Sequence, residues 1–364
     1  MSSPIDNDIN DNSIKSAEGK VGPFARLTNK RWKKVIITII AVLITIVLAA
    51  VATFSVMYHV GRNKLLSANT VSMTTPDNSE IDVDMDEDGT VIYNGTKYVF
   101  NENVTAILVM GVDKISESDY ITGFKGQADA LFLVVIDTET GKTTVVAIPR
   151  DIMAEVPVST KDGRYVGIET HQICTAYAYG DGEHVSCENM VTAVSRLMYG
   201  VPINTYFSMD WSAVGVLNDM IGGVTVPEYD SQWRPTGNTV TLRGQKALDY
   251  IRQRDKNSVD ANDNRVDRQI NYLKSFANGT IQKMKTDLTL PLKMFNTLNK
   301  YSTNNIDASR ITYLSTVFMS GGADLTFDKV KGEYTMGEKY AELYVNEQEL
   351  YDLAIRLFYV EKNK

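Results

Sequence analysis

The chain has 364 residues, which is enough for one large domain or two small domains with a buried core. Its formal net charge of −8 excludes a general nucleic-acid-binding protein, because such proteins present an excess of basic residues. Two cysteines are too few for a disulfide scaffold. Any site for a phosphate group must therefore be local and formed against the overall negative charge.

The N-terminal segment predicts a single membrane helix. Residues 1–34 are polar at first and end in Lys30-Arg31-Trp32-Lys33-Lys34, so we expect a disordered cytoplasmic tail. Residues 35–57 carry no charged side chain and can cross a hydrocarbon core of about 30 Å as a helix. The basic residues before this segment predict a cytoplasmic N-terminus, and hence a single-pass type II protein of the cell membrane with an extracellular domain.

Residues 58–102 are predicted to form an extracellular stalk followed by a β-hairpin. Residues 62–80 are polar and contain no clear periodicity. In Thr90–Phe100, β-forming residues flank Asn94-Gly95, a pair that favours the tight type I′ turn of a hairpin.

A globular domain is predicted for residues 103–276, and it begins with three short apolar strands. Charged residues stand where these strands end, and such positions line the sites of open α/β sheets. Two carboxylates, completed by water and substrate phosphate, are a common way to hold Mg²⁺. The strands and their flanking residues are 106–111 before Asp113, 130–136 after Asp129, and 143–148 before Pro149-Arg150-Asp151.

Helices follow in the second half of this domain. Cys174 and Cys187 lie near the junction of the first two and could form a disulfide in an extracellular domain. Such a bond would close a loop of about 14 residues and contribute about 3 kcal/mol. The predicted helices are His171–Tyr179, Glu188–Tyr199, Asp210–Ile221 and Gly244–Arg254.

A cluster of arginines between Tyr250 and Gln269 predicts a phosphate site, because a guanidinium group can bind two phosphate oxygens at once. If Asp263–Ser275 is helical, Arg265 and Gln269 lie on one face. The alternative is a solvent-exposed basic face that makes surface ion pairs. The members of the cluster are Arg252, Arg254, Arg265, Arg268 and Gln269.

The sequence contains none of the usual motifs of serine hydrolases, P-loop proteins, dinucleotide-binding proteins or zinc proteases. The three histidines form no ligand pattern. The remaining combination of acids and arginines suits phosphoryl transfer, in which positioning and charge stabilisation dominate.

These motifs, in their order along the chain, resemble the LytR–CpsA–Psr family over about residues 104–276. The resemblance implies a single extracellular α/β/α domain in which helices flank a central mixed β-sheet. It implies a transferase that binds a polyprenyl pyrophosphate in a hydrophobic tunnel and attaches a lipid-linked glycopolymer to peptidoglycan, releasing undecaprenyl phosphate. The polymer would be of the teichoic acid or capsular polysaccharide type. The motifs include Ile148-Pro149-Arg150-Asp151, Ala176–Gly180, Tyr250-x-Arg252-x-Arg254 and Arg265-x-x-Arg268-Gln269.

The resemblance also assigns roles to individual residues. Asp113 and Asp129 match the family's aspartates for Mg²⁺, with Mn²⁺ as an alternative metal. Arg150 is a catalytic and substrate-binding residue in this assignment. The other predicted pyrophosphate-binding residues are Arg252, Arg254, Arg265, Arg268 and Gln269.

This sequence departs from the family pattern at two places. Gln127-Ala128 precedes the second aspartate, where the family often has Arg-Ser or Arg-Thr. Asn262 stands where the family often has a catalytic aspartate, so the general base remains open between Asp263, Asp260 and Asp151. Asp263 is the favoured residue, and Asp151 could instead orient an arginine.

Two other functions remain open at this point. One is a polyprenyl-pyrophosphate hydrolase, in which water replaces the sugar acceptor, and the other is a non-catalytic lipid-binding or regulatory protein of the envelope. Residues 277–364, notably Tyr340–Tyr359, are predicted as a helical part that completes the same domain.

Overall fold

A computed structural model describes residues 23–66, 73–77, 79, 81, 83–86, 89–113, 126–232, 234–253, 261–287, 289–321, 325–338 and 340–362. The chain divides into two compact units, Met1–Val56 and Met57–Lys364. The helices are α1 (Pro23–Leu66), α2 (His184–Leu197), α3 (Ala213–Met220), α4 (Gln245–Arg252), α5 (Ala261–Met284), α6 (Leu290–Leu298), α7 (Ala308–Gly321) and α8 (Glu347–Phe358).

The strands are short and spread over the chain after α1. They are β1 (Val91–Tyr93), β2 (Thr96–Phe100), β3 (Val104–Asp113), β4 (Gln127–Asp137), β5 (Thr143–Ile148), β6 (Met153–Ser159), β7 (Tyr165–Gln172), β8 (Thr205–Asp210), β9 (Val224–Tyr229), β10 (Pro235–Leu242), β11 (Ser302–Asn304), β12 (Leu325–Lys329), β13 (Gly332–Met336), β14 (Ala341–Val345) and β15 (Tyr359–Glu361).

Helix α1 contains the predicted membrane segment, and Lys34–Leu66 is long and apolar enough to span a bilayer. The helix begins earlier and ends later than predicted, so that residues 58–66, predicted as part of the stalk, are helical. Residues 23–34, predicted as part of a disordered tail, are helical, whereas residues 1–22 lie outside the described part of the chain. The difference follows from cooperativity, since a long apolar helix extends into Lys and Arg residues at little cost.

A six-stranded mixed sheet forms the centre of the second unit, in the order β11-β8-β3-β4-β5-β12. Strand β3 is parallel to β8 and antiparallel to β4, and β5 is antiparallel to β4 and parallel to β12. Helices cover both faces. This confirms the predicted α/β/α domain with a central mixed sheet.

Each face of the sheet has its own apolar core. On one face Leu108 and Val146 pack with α2 and α8, and on the other Phe132 and Val145 pack with α3, α4 and α5. The alternation of side chains along β3, β4 and β5 therefore serves two cores, which explains why these strands are apolar on both faces.

The β1–β2 hairpin forms as predicted. Asn94 and Gly95 have φ angles of 50° and 75°, as a type I′ turn requires at both central positions. Strand β15, near the C-terminus, extends this hairpin to a three-stranded sheet.

Several predicted helices differ from the observed elements. Residues 171–172 end strand β7, and only a 3₁₀ helix at Ile173–Ala176 occupies the first predicted helix. Asp210 ends β8, so that α3 begins at Ala213 rather than at Asp210. The C-terminal part is not simply helical, because β11 to β15 lie within it and β12 completes the central sheet.

The disulfide that Cys174 and Cys187 could form is not present in the structure. Cys174 in the 3₁₀ helix and Cys187 in α2 are both free thiols buried in the protein. Burial raises the pKa of the Cys174 thiol to about 11, so that it is protonated at neutral pH and resists oxidation.

Candidate functional site

One edge of the central sheet carries the predicted acidic and basic residues. Strands β3 and β5 run in the same direction and end at this edge, whereas β4 runs in the opposite direction and begins there. Asp113 is the last residue of β3, Asp129 lies at the start of β4, and Arg150 follows β5. The topology thus brings together three residues that are distant in sequence.

A β-bulge gives Asp129 its position. Gly111 pairs with Ala130 and Val112 pairs with Ala128, so Asp129 is an extra residue in β4 with no partner on β3. Bulges redirect side chains next to functional sites. Strand alternation alone would place Asp129 with Leu131 and Leu133, whose side chains belong to the α2–α8 core.

Arg150 donates hydrogen bonds to two side chains and forms an ion pair with a third. Its Nη1 forms an ion pair with Asp129 Oδ1, and its Nη2 donates to Gln127 Oε1 at 2.9 Å. Its Nε lies 3.4 Å from Oδ1 of Asp151, a buried carboxylate. The guanidinium is therefore fixed in direction before any ligand binds. Gln127, which departs from the family pattern, provides one of these contacts.

Arg252 forms the second arginine–aspartate pair. It is the last residue of α4, and its Nη2 contacts Asp113 Oδ2. Both side chains are 43% exposed, so this pair is more open to solvent than Arg150 and Asp129, at 14% and 15%. Arg252 can therefore exchange its carboxylate for an anionic ligand with less rearrangement of its surroundings.

Arg268 and Gln269 differ from the other members of the cluster. Arg268 is fully buried, and it donates to the backbone carbonyls of Tyr250 at 3.0 Å and of Gln253. Gln269 donates to the carbonyl of Ile251 at 3.1 Å. Since the last carbonyls of a helix have no partners within it, these side chains stabilise the end of α4. These contacts support a positioning role for both side chains, Gln269 also lines the apolar groove described below, and the contact of both with pyrophosphate stays a prediction.

Arg265 is also buried, at 3% exposure, in the second turn of α5. Besides burial, the charges of Arg150, Asp151 and Arg265 act on the pKa of Cys174. Arg265 therefore lies within electrostatic reach of the same thiol as Arg150. Helix α5 and the end of β5 thus deliver two arginines to one region.

Three predicted residues cannot be placed in the same way. Arg254 and Asp260 lie outside the described residues, and at Asp263 the structure describes only a helical backbone in the first turn of α5.

An apolar groove adjoins the strand and helix ends that carry these charged residues. It lies between the sheet and helices α3 and α5. Its lining includes Gly111, Ala130 and Ile251, which are within two residues of Asp113, Asp129 and Arg252. A Cβ atom on Gly111 would lie 3.2 Å from the Trp211 ring, so glycine lets this ring pack against the sheet.

No preformed metal cluster occurs in the described part of the chain, where no three His, Cys, Asp or Glu residues are grouped to hold an ion. Asp113 pairs across the strands with Gln127, two residues from Asp129. Two such carboxylates fit Mg²⁺ when phosphate oxygens and water supply the other ligands, and until then the arginines balance their charge.

Sequence reasoning missed one cation at this edge. Lys329 ends β12, next to β5, and its Nζ lies 2.9 Å from Asp267 of α5. It was missed because the C-terminal part was predicted as helical, although Leu325-Thr-Phe-Asp-Lys329 alternates apolar and polar residues as a half-buried strand does.

Comparison with known proteins gives a family match. Residues 66–357 match the model of the LytR_cpsA_psr family. The chain is similar to the polyisoprenyl-teichoic acid–peptidoglycan teichoic acid transferase TagU of Bacillus licheniformis, with 26% identity over 255 residues, 68% of this chain and 71% of that protein. The chain is also similar to Biofilm regulatory protein A of Streptococcus mutans, with 27% identity over 175 residues. This match covers 44% of this chain and 40% of that protein, which is less than half of its length.

Solved structures share the fold. Protein gbs0355 from Streptococcus agalactiae matches with a TM-score of 0.57 and 19% identity over 70% of this chain and 86% of that chain. The structure described as TagT bound to LI-WTA matches with a TM-score of 0.52 and 18% identity, covering 70% and 89%.

Proposed function

For this chain, which belongs to the LytR_cpsA_psr family, we propose the transfer of a polyprenyl-pyrophosphate-linked glycopolymer to peptidoglycan. The name of TagU, a teichoic acid transferase, supports the reaction class and a polymer of the teichoic acid type, and a capsular polysaccharide is the alternative polymer. The observation that carries the proposal is an apolar groove lined by the residues that precede Asp113 and Arg252 and follow Asp129, the carboxylates and arginine of two arginine–aspartate pairs. This combination suits a ligand with an apolar chain and an anionic head group.

The arginines bind and orient the pyrophosphate. Arg150 is fixed by Asp129, Gln127 and Asp151, and it presents its guanidinium group in a constant direction. Arg252 leaves Asp113 for the phosphate oxygens and neutralises charge that grows in the transition state. The polyprenyl chain occupies the groove, so that water is excluded from this side of the pyrophosphate.

Asp113 and Asp129 are the residues that would hold Mg²⁺, or alternatively Mn²⁺, and the bound ion would supply further neutralisation of the phosphate oxygens. Arg252, once it leaves Asp113, would bind the same oxygens, while Gln127 and Asp151 keep Arg150 in its direction.

In the reaction, a peptidoglycan hydroxyl oxygen forms a bond to the polymer-proximal phosphorus. The bond from this phosphorus to the bridging oxygen breaks, and undecaprenyl phosphate leaves. A carboxylate accepts the hydroxyl proton. Asp263 is the favoured base, with Asp260 as an alternative, while the contact of Asp151 with Arg150 supports an orienting role for Asp151.

The topology completes the proposal. The basic residues before the apolar part of α1 favour a cytoplasmic N-terminus and an extracellular catalytic domain. Peptidoglycan lies on that side of the membrane, and an anchored enzyme remains in the bilayer that contains its lipid donor.

The test is a reconstituted transfer reaction. Full-length protein in liposomes receives lipid-linked polymer with a labelled sugar, purified peptidoglycan and Mg²⁺, and label that sediments with peptidoglycan is counted. We expect Arg252→Ala and Arg265→Ala to reduce transfer by about 10²-fold or more. Arg234→Ala, which removes an exposed arginine paired with Asp230, is the matched control and should retain activity.

Undiminished transfer in both site variants would contradict the proposal. Release of labelled polymer that does not sediment would indicate a hydrolase, and tight binding of the donor without turnover would indicate a binding protein.

A further inference from the structure

The hairpin β13–β14 is attached directly to the backbone of the candidate site. The backbone N–H of Leu343 donates to the carbonyl of Asp151 at 2.9 Å, and Leu343 forms a parallel bridge with Ile152. Gln172 Nε2 donates to the carbonyl of Ala341 at 2.8 Å. The hairpin is therefore hydrogen-bonded to the backbone of Asp151, the residue that directly follows Arg150.

The two faces of this hairpin differ in character. Leu343 is 2% exposed and belongs to the core on the α2–α8 side. Its neighbours Glu342 and Tyr344 point the other way, because side chains alternate along a strand. Glu333 and Thr335 lie opposite them on β13. We call the set Glu333, Thr335, Tyr340, Glu342 and Tyr344 the hairpin face.

Two exposed tyrosines dominate this face. Tyr340 is 70% exposed and Tyr344 is 50% exposed. The hydroxyl of Tyr344 donates to Glu342 Oε2 at 2.8 Å, which restrains the ring without burying it. Exposed tyrosines provide large, rigid and amphipathic contact area at low entropic cost, which is typical of binding surfaces.

The charge of the hairpin face restricts its ligand. In the sequence of the hairpin, residues 332–345, three glutamates (Glu333, Glu338 and Glu342) outnumber the one lysine (Lys339), so the hairpin has a net negative charge. Such a surface repels a phosphate-rich polymer or an anionic membrane. It suits a ligand with apolar ring faces, which stack on tyrosine, and with neutral hydroxyl groups, which donate to carboxylates.

We propose that the hairpin face binds the glycan strand of the peptidoglycan acceptor, an inference that rests on the proposed function for the identity of that acceptor. Glu342 and Tyr344 flank the residue that bonds to Asp151, so a strand bound there lies beside the edge that carries Arg150. The anionic donor then binds at the arginines, and the neutral glycan of the acceptor binds at the acidic hairpin face.

The test measures binding to the acceptor without any donor. Detergent-solubilised full-length protein is sedimented with purified peptidoglycan from which attached polymers have been removed. We expect Tyr340→Ala/Tyr344→Ala to weaken sedimentation by roughly tenfold, since each aromatic contact contributes a factor of about two to ten. Soluble oligomers of β-1,4-linked N-acetylglucosamine should displace the wild-type protein.

Tyr165→Ala is the matched control. Tyr165 is 61% exposed and lies at the far end of β7, opposite Ser159, roughly 25 Å along β6 from Asp151. This variant should sediment like the wild-type protein. The thermal unfolding midpoint of each variant shows whether a loss of binding reflects unfolding, and Tyr344→Trp, which keeps an aromatic ring, should retain binding.

Equal sedimentation of the double variant and the wild-type protein would overturn the inference, as would a wild-type protein that does not sediment. The inference would also be overturned if the double variant kept its binding to peptidoglycan but lost self-association or binding to lipid vesicles. The proposed function fails separately, when donor and peptidoglycan are both bound but no polymer is transferred.

Discussion

Arg252 and Arg268 belong to the same arginine cluster but have different surroundings. Arg252 is 43% exposed at its side chain and pairs with a carboxylate, whereas Arg268 is fully buried and bonds to backbone carbonyls. Desolvation lowers the pKa of Arg268. Its interactions with Tyr229 and Tyr250 raise the pKa by less, so the pKa stays below its usual value. One arginine is available to a ligand and the other supports the helix that carries it.

This difference predicts a separation of stability from binding. Arg268→Met leaves the carbonyls at the end of α4 without their donor, so the free energy of unfolding should fall by about 3 kcal/mol. Arg252→Met should change it by less than about 0.5 kcal/mol, because exposed ion pairs contribute little, but should weaken binding of a polyprenyl pyrophosphate. Urea unfolding and a donor-binding titration provide both values. Superimposable unfolding curves for the two variants would refute the positioning role of Arg268.

The two cysteines give a second prediction at this scale. Both thiols are buried, and desolvation raises the pKa of Cys174 to about 11. A thiol reagent at pH 7 should therefore label neither cysteine in the native protein and both after denaturation without reductant. Absence of labelling in denaturant would demonstrate a disulfide.

At the scale of elements, strand β3 delivers Asp113 and also forms part of the groove. Gly111 serves this second role, because an added Cβ would lie 3.2 Å from Trp211 and 3.3 Å from the Cβ of Ala130. Those distances are too short for a larger side chain without displacement of the ring.

We therefore expect Gly111→Val to weaken binding of a long-chain polyprenyl pyrophosphate by about tenfold or more and to cost about 1–3 kcal/mol of stability through overpacking. A short-chain isoprenyl pyrophosphate, which leaves most of the groove empty, should bind almost normally. Gly167→Val in β7 is the matched control, since no atom lies within 4 Å of its added Cβ. A loss of affinity that is independent of chain length would contradict the assignment of this groove to the lipid.

The beginning of α7 illustrates a pH-dependent contact between elements. Burial acts to raise the pKa of Asp307, but hydrogen bonds from Lys64 and Ser309 and from the backbone N–H of Arg310 outweigh it, so the pKa is lowered. Lys64 lies near the end of α1. The charged form of Asp307 therefore stabilises the folded state.

Asp307→Asn keeps a capping side chain but removes this charge. Lys64 and Asp307 are 43% and 41% exposed, so solvent screening limits the expected loss to about 0.5 kcal/mol at pH 7. Because the folded-state pKa is lowered, the stabilisation is complete above the unfolded pKa of about 3.9 and disappears as pH falls through the folded value. Unfolding of both proteins between pH 7 and pH 2 should show converging stabilities, and a constant difference would contradict the assignment.

At the scale of the whole molecule, local patterns predicted the parts of the site that lie at strand ends. The apolar runs before Asp113 and Arg150 indicated buried strands, and the strand order then brought these residues to one edge. The Asn94-Gly95 turn was equally local. In each case a short sequence contains the preference for the structure, and for the two strands it also contains the position of the functional residue.

Other features depend on contacts that no local pattern encodes. The bulge at Asp129 depends on its pairing with β3, and the burial of Arg268 depends on how α5 packs against the end of α4. Strand β12 pairs with β5, which is far away in sequence. The sequence around β12 does not show this pairing, so the C-terminal part was predicted to be helical. The free cysteines show the same limit, because proximity in sequence does not determine bond geometry.

In the proposed reaction, the bond that breaks joins the polymer-proximal phosphorus to the oxygen that bridges the two phosphorus atoms. The direct measurement uses a donor with one isotopic label in the polymer-proximal phosphate and another in the lipid-proximal phosphate, together with peptidoglycan and full-length protein in liposomes. We predict that the first label becomes attached to peptidoglycan and that the second remains in the bilayer as undecaprenyl phosphate, in equal amounts. Attachment without the first label, or its release as free polymer phosphate, would contradict the account.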